Sequence, residues 1–233
     1  MDPGYGYEAL VNMTRWDWAQ DLFEWFEYYL QERGPKPTLD AQIQRNDGEW
    51  RIEETWPPQD SQPFTLPLSE CVNDGAFVGG GPSVVGGGQT VVVECPSINE
   101  DIDLHISGLP TLHLSAVPTF NGGQVFIEMQ DAETGMRIGH ATMDVRYYEG
   151  GYEPQTVIPG EQITMLMEFQ GIDALLPAGH GLRFIFSDQG QDYLAPAWGN
   201  VCTVHILPSL SVFEAPLIDR NGSNVLITPQ HEA

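Results

Sequence analysis

One-sided alternation of apolar and polar residues runs through most of this chain and limits the folds open to it. Leu112, Leu114 and Ala116 alternate with His113 and Ser115. Five further segments follow the same rule: 102–106, 125–130, 163–169, 182–186 and 204–206. Glycine-bearing turns separate several of them, at 121–123, 133–135 and 158–161. When the strands of a sheet present one apolar face, a second layer must pack against that face to bury it. The sequence therefore predicts an all-β fold, an antiparallel β-sandwich, and within that class a jelly roll.

The N-terminal part follows a different pattern. A broad aromatic stripe at helical spacing predicts one amphipathic helix, with Trp18, Leu22, Trp25, Phe26 and Tyr29 on the stripe. Thr14 and Asp17 are typical of a capping box at its start, and Gly34 and Pro35 predict its end. The chain offers no second helix to cover the stripe. It must contact the β-domain, a partner, or a domain outside this chain.

A hairpin and a long connection follow the predicted helix. Residues 38–43 and 50–52 have strand character, and Asn46-Asp47-Gly48 between them favours a tight turn. A Gly/Pro-rich stretch from about 63 to 89 predicts an irregular connection. We therefore divide the chain into a terminal helical segment, 1–36, and a β-sandwich domain, 37–233.

The charge of the chain excludes two classes of partner. Thirty-three acidic residues against nine basic ones give a net charge of −24. The negative electrostatic potential of such a chain repels nucleic acid and anionic membranes. Dense carboxylates favour a protein from a salt-rich cell over an ordinary acidic protein. No apolar run reaches the roughly 18–20 residues needed to cross a bilayer, and no signal peptide follows Met1. We expect a soluble chain, either cytoplasmic or secreted.

Three cysteines, Cys71, Cys95 and Cys202, are widely spaced. They lack the Cys-x-x-Cys or Cys/His clustering of a zinc or redox site. Buried free thiols are the favoured interpretation, and a single disulfide is the alternative.

The titratable side chains give no clear site. His105, His113 and His205 fall opposite apolar strand faces, which predicts exposure to solvent. His140, near Asp144, is placed in the same way, and His231 lies near the C-terminus. The acidic group Glu100, Asp101 and Asp103 is a weak alternative as a calcium loop.

No catalytic nucleophile is recognisable. Ser83 has Gly81 before it, but Val85 stands where a Gly-x-Ser-x-Gly elbow needs its second glycine. Phosphate-binding and His-Glu-x-x-His motifs do not occur. We therefore predict no catalytic, cofactor-binding or metal-binding residue and no cofactor.

Five blocks of sequence, in order, resemble one protein family. They are the N-terminal run WFEYYL (25–30), QRNDGEWR (44–51) and ETWPP (54–58), then PSVVGG (82–87), DIDLHISG (101–108), FIEMQD (126–131) and PAGHGLRF (177–184). Together they are similar to the C-terminal domain of X-prolyl dipeptidyl-peptidases and cocaine-esterase-like serine hydrolases, a group that includes α-amino-acid ester hydrolases. The segment 63–88 departs most from the family pattern.

The resemblance implies a galactose-binding-like jelly roll that packs on an α/β-hydrolase domain and helps to wall its active site. The nucleophile, acid and histidine of that family lie in the hydrolase domain and match no position here. His180 belongs to a strand signature, which implies a structural role. We expect the β-sandwich portion of an ester- or X-Pro-cleaving serine hydrolase, inactive alone, partnered by an α/β-hydrolase domain of the same parent chain or a separate subunit. A stand-alone carbohydrate- or ligand-binding module is the alternative, and a homo-oligomer also stays open.

Overall fold

The computed structural model describes residues 16–38, 40–71, 83–85, 90–188, 190 and 203–219, with backbone alone for 16–18 and 83–85. Within these ranges lie a helix, α1 (Trp16–Gln31), and strands β1 (Ala41–Gln44), β2 (Trp50–Glu53), β3 (Gln62–Pro67), β4 (Ser83–Val85), β5 (Val91–Glu94), β6 (Leu104–Gly108), β7 (Thr111–Pro118), β8 (Gln124–Asp131), β9 (Arg137–Asp144), β10 (Ile163–Glu168), β11 (Ile172–Leu176), β12 (Leu182–Ser187), β13 (Val204–Ile206) and β14 (Val212–Ile218). Short 3₁₀ turns occupy Leu68–Glu70, Val145–Tyr147 and Pro208–Leu210.

The strands form two large layers and one hairpin. The larger sheet has the order β11-β6-β14-β7-β13-β4, with β10 also paired to β7 and β3 also paired to β14. The smaller sheet has the order β5-β12-β8-β9, and β1 and β2 form a two-stranded sheet of their own among the described strands. Every described pairing is antiparallel. The predicted all-β sandwich with one helix is confirmed, whereas the jelly-roll and galactose-binding-like assignments stay predictions.

The core lies where the inner faces of the two large sheets meet. Leu114 and Phe213 of the larger sheet and Ile127 and Phe184 of the smaller sheet are 0% exposed. The rings of Phe184 and Phe213 stand 5.1 Å apart between their centroids, so they join the layers directly. Burying each such side chain stabilises the fold by about 1.5–3 kcal/mol. The alternation found in the sequence therefore marks the inner face of most predicted strands.

Asn46 anchors the β1–β2 hairpin to the outer edge of β11. Its side chain accepts a hydrogen bond from the Leu175 amide at 2.9 Å and donates one to the Leu175 carbonyl at 3.1 Å. Its own amide donates to the Asp173 carbonyl at 3.0 Å. The turn forms as predicted, with Gly48 at a φ of 90° that favours glycine. A single asparagine thus satisfies backbone groups that β11 would otherwise leave unpaired.

The stretch 63–89 was predicted as an irregular connection, and that prediction is wrong for two parts of it. Gln62–Pro67 forms β3, paired with β14, and Ser83–Val85 forms β4, paired with β13. Pro63 stands opposite Pro216 in the β3–β14 ladder, so two residues without an N–H face one another. Residues 72–82 and 86–89 lie outside the described ranges.

The end of α1 also differs from its prediction. The helix stops at Gln31, and Glu32 adopts the positive φ of 53° two residues before Gly34. The amide of Arg33 then donates to the Glu27 carbonyl at 2.9 Å, which satisfies one of the last carbonyls. The predicted capping residue Thr14 and the side chains of Asp17 and Trp18 lie outside what the structure describes.

Cys71 and Cys95 form a disulfide bond, so the interpretation of these two as free thiols is wrong. The bond connects the end of the 3₁₀ turn after β3 with the end of β5, across 24 residues of chain. Local sequence gave no sign of the pairing, because the two cysteines approach only when both sheets have formed. Cys202 is outside the described ranges.

Candidate functional site

A buried polar cluster connects the β1–β2 hairpin to the sandwich. Arg51 of β2 extends onto the outer face of β6 and β11, where its guanidinium pairs with the Asp173 carboxylate. Arg51 Nη2 donates to Ser107 Oγ at 2.7 Å, and His105 Nε2 lies 2.9 Å from Asp173 Oδ1. Arg51 Nε also donates to Glu53 at 2.8 Å. We call Arg51, His105, Ser107 and Asp173 the hairpin anchor.

The hairpin anchor is almost free of solvent. The side chains of Arg51, His105 and Asp173 are 8%, 6% and 1% exposed. Burial acts to raise the pKa of Asp173, but hydrogen bonds and charge from His105 and Arg51 outweigh it and leave that pKa lowered. Asp173 therefore stays ionised at neutral pH, as the counter-charge of Arg51.

A serine, a histidine and an aspartate occur together in the anchor, but their geometry does not suit nucleophilic catalysis. His105 Nε2 contacts Asp173, and the Ser107 hydroxyl oxygen accepts from Arg51. Ser107 is 0% exposed. A nucleophile needs a base on its own hydroxyl and a path to substrate. The anchor has neither arrangement in the described residues and serves to hold the hairpin.

Two histidine predictions are wrong. His105 and His140 were expected to face solvent, yet they are 6% and 5% exposed. The hairpin covers His105, while the ring of Phe126 stacks on His140 at a centroid distance of 5.8 Å. His113 keeps a side chain that is 44% exposed, His205 is half-buried, and His231 is outside the described ranges.

His180 joins two turns at the end of the smaller sheet. Its Nδ1 lies 2.9 Å from Asp131 Oδ2 and 3.9 Å from Glu133 Oε2. The Asp131 hydrogen bond, followed by the charges of Asp131 and Glu133, raises the pKa of His180 against partial burial. Burial acts to raise the pKa of Asp131, but the His180 bond and the amides of its own turn lower it. These contacts give His180 a structural setting, between β12 and the β8–β9 turn.

Asp131, Glu133 and His180 are also the set of three metal-capable side chains that the described residues bring together, with ligand atoms within 4.8 Å of one another. Their oxygens and nitrogen already hydrogen-bond to each other or to backbone amides. The acidic group suggested from sequence does not assemble in this way. Within it, Asp103 accepts from the Ala178 amide at 2.8 Å.

Helix α1 exposes apolar side chains that sequence periodicity identified only in part. Leu22, Trp25, Phe26 and Tyr29 of the predicted stripe are 39–40% exposed. Two residues outside the predicted stripe are more exposed: Phe23 at 67% and Leu30 at 69%. They lie seven residues apart, on one side of the helix. We call Phe23 and Leu30 the outer face of α1.

The other side of α1 borders a groove of about 610 Å³ against the hairpin. Leu22, Trp25 and Phe26 of the helix and Ile52 of β2 supply its apolar lining. Ile52 is itself 46% exposed, so this space is open to solvent. We call it the helix–hairpin groove.

In the described part of the chain, no helix is both long and apolar enough to cross a membrane.

Fold and site together define an antiparallel β-sandwich in which the buried side chains of Ser107, His105 and Asp173 fasten a hairpin to the larger sheet. Residues 100–203 match the family model described as the X-Pro dipeptidyl-peptidase C-terminal non-catalytic domain. The resemblance predicted from the sequence blocks is confirmed. No curated protein matches the chain.

Solved structures of several hydrolases share the fold. A CocE/NonD family hydrolase from Staphylococcus aureus aligns with a TM-score of 0.54 at 11% identity, over 86% of this chain and 46% of its own. An aminopeptidase from a marine sediment Thaumarchaeota archaeon gives 0.53 at 12% identity, over 88% and 44%. An α-amino acid ester hydrolase gives 0.50 at 16%, over 84% and 44%. The chain thus spans less than half the length of these proteins.

Proposed function

We propose that this chain is the C-terminal β-sandwich portion of a serine hydrolase that cleaves esters or X-Pro peptides. It supports and walls the active site of an α/β-hydrolase domain, which belongs to the same parent chain or to a separate subunit. The match of residues 100–203 to a non-catalytic domain supports the first statement. The walling role and the substrate class rest on the resemblance.

The exposed outer face of α1 is the observation that favours a partner domain. Phe23 and Leu30 are 67% and 69% exposed on a helix that already borders the hairpin on its other side. Leaving such side chains in water forfeits about 1.5–3 kcal/mol each relative to full burial. Large apolar side chains exposed together on one side of a helix favour an interaction surface.

The chemistry in this proposal comes from the partner domain. Ser107, His105 and Asp173 are buried and committed to the hairpin anchor. We therefore expect the purified chain to show no turnover of p-nitrophenyl acetate or of an X-Pro p-nitroanilide. Turnover that persists through purification and is lost on unfolding would overturn the proposal.

A second experiment tests the docking surface. The catalytic domain of the parent is assayed with this chain attached or added, in wild-type form and with Phe23→Glu and Leu30→Glu together. We expect the double change to lower activity and thermal stability, because it places charge in the interface. The matched control is Tyr152→Glu, since Tyr152 is 98% exposed and lies outside α1.

Three outcomes would revise this proposal. A catalytic domain that is fully active and stable without this chain would remove the supporting role. Self-association of the chain that Phe23→Glu abolishes would assign the outer face to a second copy. Binding of oligosaccharides to the isolated chain would favour the stand-alone module.

A further inference from the structure

The helix–hairpin groove combines an apolar lining with negative charge. Besides Leu22, Trp25, Phe26 and Ile52, three carboxylate side chains border it: Asp21 and Glu24 from α1 and Asp40 ahead of β1. No lysine or arginine is among the described residues that line it. Glu24 and Asp40 are both exposed. The groove thus presents carboxylates beside aromatic rings.

This combination suits a cationic apolar occupant. Aromatic ring faces attract guanidinium and ammonium groups, most strongly those of Trp. The carboxylates at the border of the groove also attract these cationic groups. The aliphatic stems of Arg and Lys cover apolar surface while their charged ends reach the rim. A neutral or acidic segment would meet the apolar lining but would gain no attraction from the three carboxylates.

The openness of the groove distinguishes a polypeptide segment from a small molecule. Small ligands usually have most of their surface buried by a pocket. Here Leu22, Trp25 and Phe26 each remain 39% exposed, and Ile52 remains 46% exposed. A shallow apolar trough between a helix and a ribbon is the shape that accepts one face of an amphipathic helix.

We propose that the helix–hairpin groove binds an amphipathic helix of a partner protein whose apolar face is flanked by Lys or Arg side chains. The inference goes beyond the proposed function, because it concerns the inner side of α1 and does not require a catalytic partner. The outer face, Phe23 and Leu30, takes no part in it. Failure of one proposal therefore leaves the other standing.

The probe is a fluorescein-labelled 18-residue helical peptide of Leu and Lys in amphipathic order. A Leu/Glu peptide of the same pattern is its control. We expect the Leu/Lys peptide to bind the chain with one-to-one stoichiometry by fluorescence polarisation and calorimetry. We expect no binding of the Leu/Glu peptide.

Variants separate the groove from the general acidity of the chain. Glu24→Gln with Asp40→Asn should weaken binding about tenfold, from two exposed charge contacts. The matched control, Glu149→Gln with Glu153→Gln, changes the net charge equally at exposed positions outside the groove. It should alter the affinity less than about twofold.

A third pair of variants locates the peptide. Ile52→Asn, in the groove lining, should weaken binding, while Leu30→Asn on the outer face should not. Equal losses for both charge pairs would show attraction to the diffuse acidic surface and overturn the proposal. Equal binding of the Leu/Glu peptide, or no binding of either peptide, would overturn it as well. Far-ultraviolet circular dichroism confirms that each variant is folded.

Discussion

The hairpin anchor offers the sharpest test of how this fold is held together. Asp173→Asn keeps the shape of the side chain but removes its charge at a position that is 1% exposed. Arg51 then loses its most buried counter-charge. The new side-chain amide has one acceptor oxygen where the carboxylate had two. We expect the hairpin to loosen from β11 and the whole sandwich to lose stability.

The magnitude follows from the contacts that remain. Removing one partner of a buried ion pair costs about 3–5 kcal/mol. Arg51 retains Glu53 at 2.8 Å and Ser107 at 2.7 Å, so the loss should lie near the lower end, about 3 kcal/mol. In a domain of this size that corresponds to a decrease in Tm of roughly 6–12 °C.

Calorimetry and urea unfolding of wild type and variant measure this difference. The matched control is Glu94→Gln, which removes the carboxylate from the Arg183–Glu94 pair, whose side chains are 27% and 50% exposed. An exposed pair contributes about 0–1 kcal/mol. Amide exchange of residues 41–53 should quicken in Asp173→Asn and stay unchanged in the control.

The pH dependence supplies a second criterion with a fixed sign. Because the pKa of Asp173 is lowered in the folded state, its stabilisation is complete above the unfolded aspartate value of about 4. It is lost as the pH falls through the folded value. The difference in unfolding free energy between wild type and Asp173→Asn should therefore become smaller in acid. This explanation would be refuted if Asp173→Asn destabilises the protein no more than Glu94→Gln does. It would also be refuted if the difference between wild type and Asp173→Asn stays constant in acid.

Three further predictions concern other contacts. Replacing Cys71 and Cys95 together by Ser should cost about 3 kcal/mol in unfolding free energy, from a disulfide that spans 24 residues; an unchanged Tm in calorimetry would contradict this. Asn46→Ala should cost about 1–3 kcal/mol and speed exchange of the Leu175 amide, which loses its acceptor; native exchange there would contradict the anchoring role. The raised pKa of His180 means that its contribution is complete below about pH 6.5 and is lost as the pH rises through the folded value. His180→Gln should flatten the stability profile between pH 5 and 9 in urea unfolding, and identical profiles would exclude the effect.

The parts of the fold that follow from local pattern were predictable. β10 and β12 alternate between more and less buried residues, and β7 and β8 do so over part of their length, because one face meets the core and the other is more polar. The strands that the sequence did not predict break this pattern, namely β3, β4, β5, β9, β11 and β14. Pro216 obscures β14, although Phe213 and Ala215 on it are buried. β11 is buried on both faces, so it lacks the alternation that marks the predicted strands. Asp173 within it is of a residue type that favours turns.

The candidate site was less predictable than the fold. Whether a histidine opposite the core is exposed depends on what covers the outer face of the sheet. The covering residue of His105 is Arg51, which pairs with Asp173 across 122 positions. Periodicity over a few residues contains no information about that contact. The helix was predicted, but Phe23 and Leu30 were not assigned to its apolar surface. Helical spacing identifies residues that share one side of a helix and does not show how far around the helix the apolar surface extends.

The pairing of Asn46 with β11 has a consequence for the behaviour of the protein at high concentration. β11 is a terminal strand of the larger sheet, and a bare terminal strand is a template for the addition of a strand from another molecule. Asn46 occupies the outward-facing amide and carbonyl of Leu175 and the carbonyl of Asp173. We therefore expect the hairpin turn to hinder pairing of β11 with a strand of another molecule, so that Asn46 limits edge-to-edge aggregation.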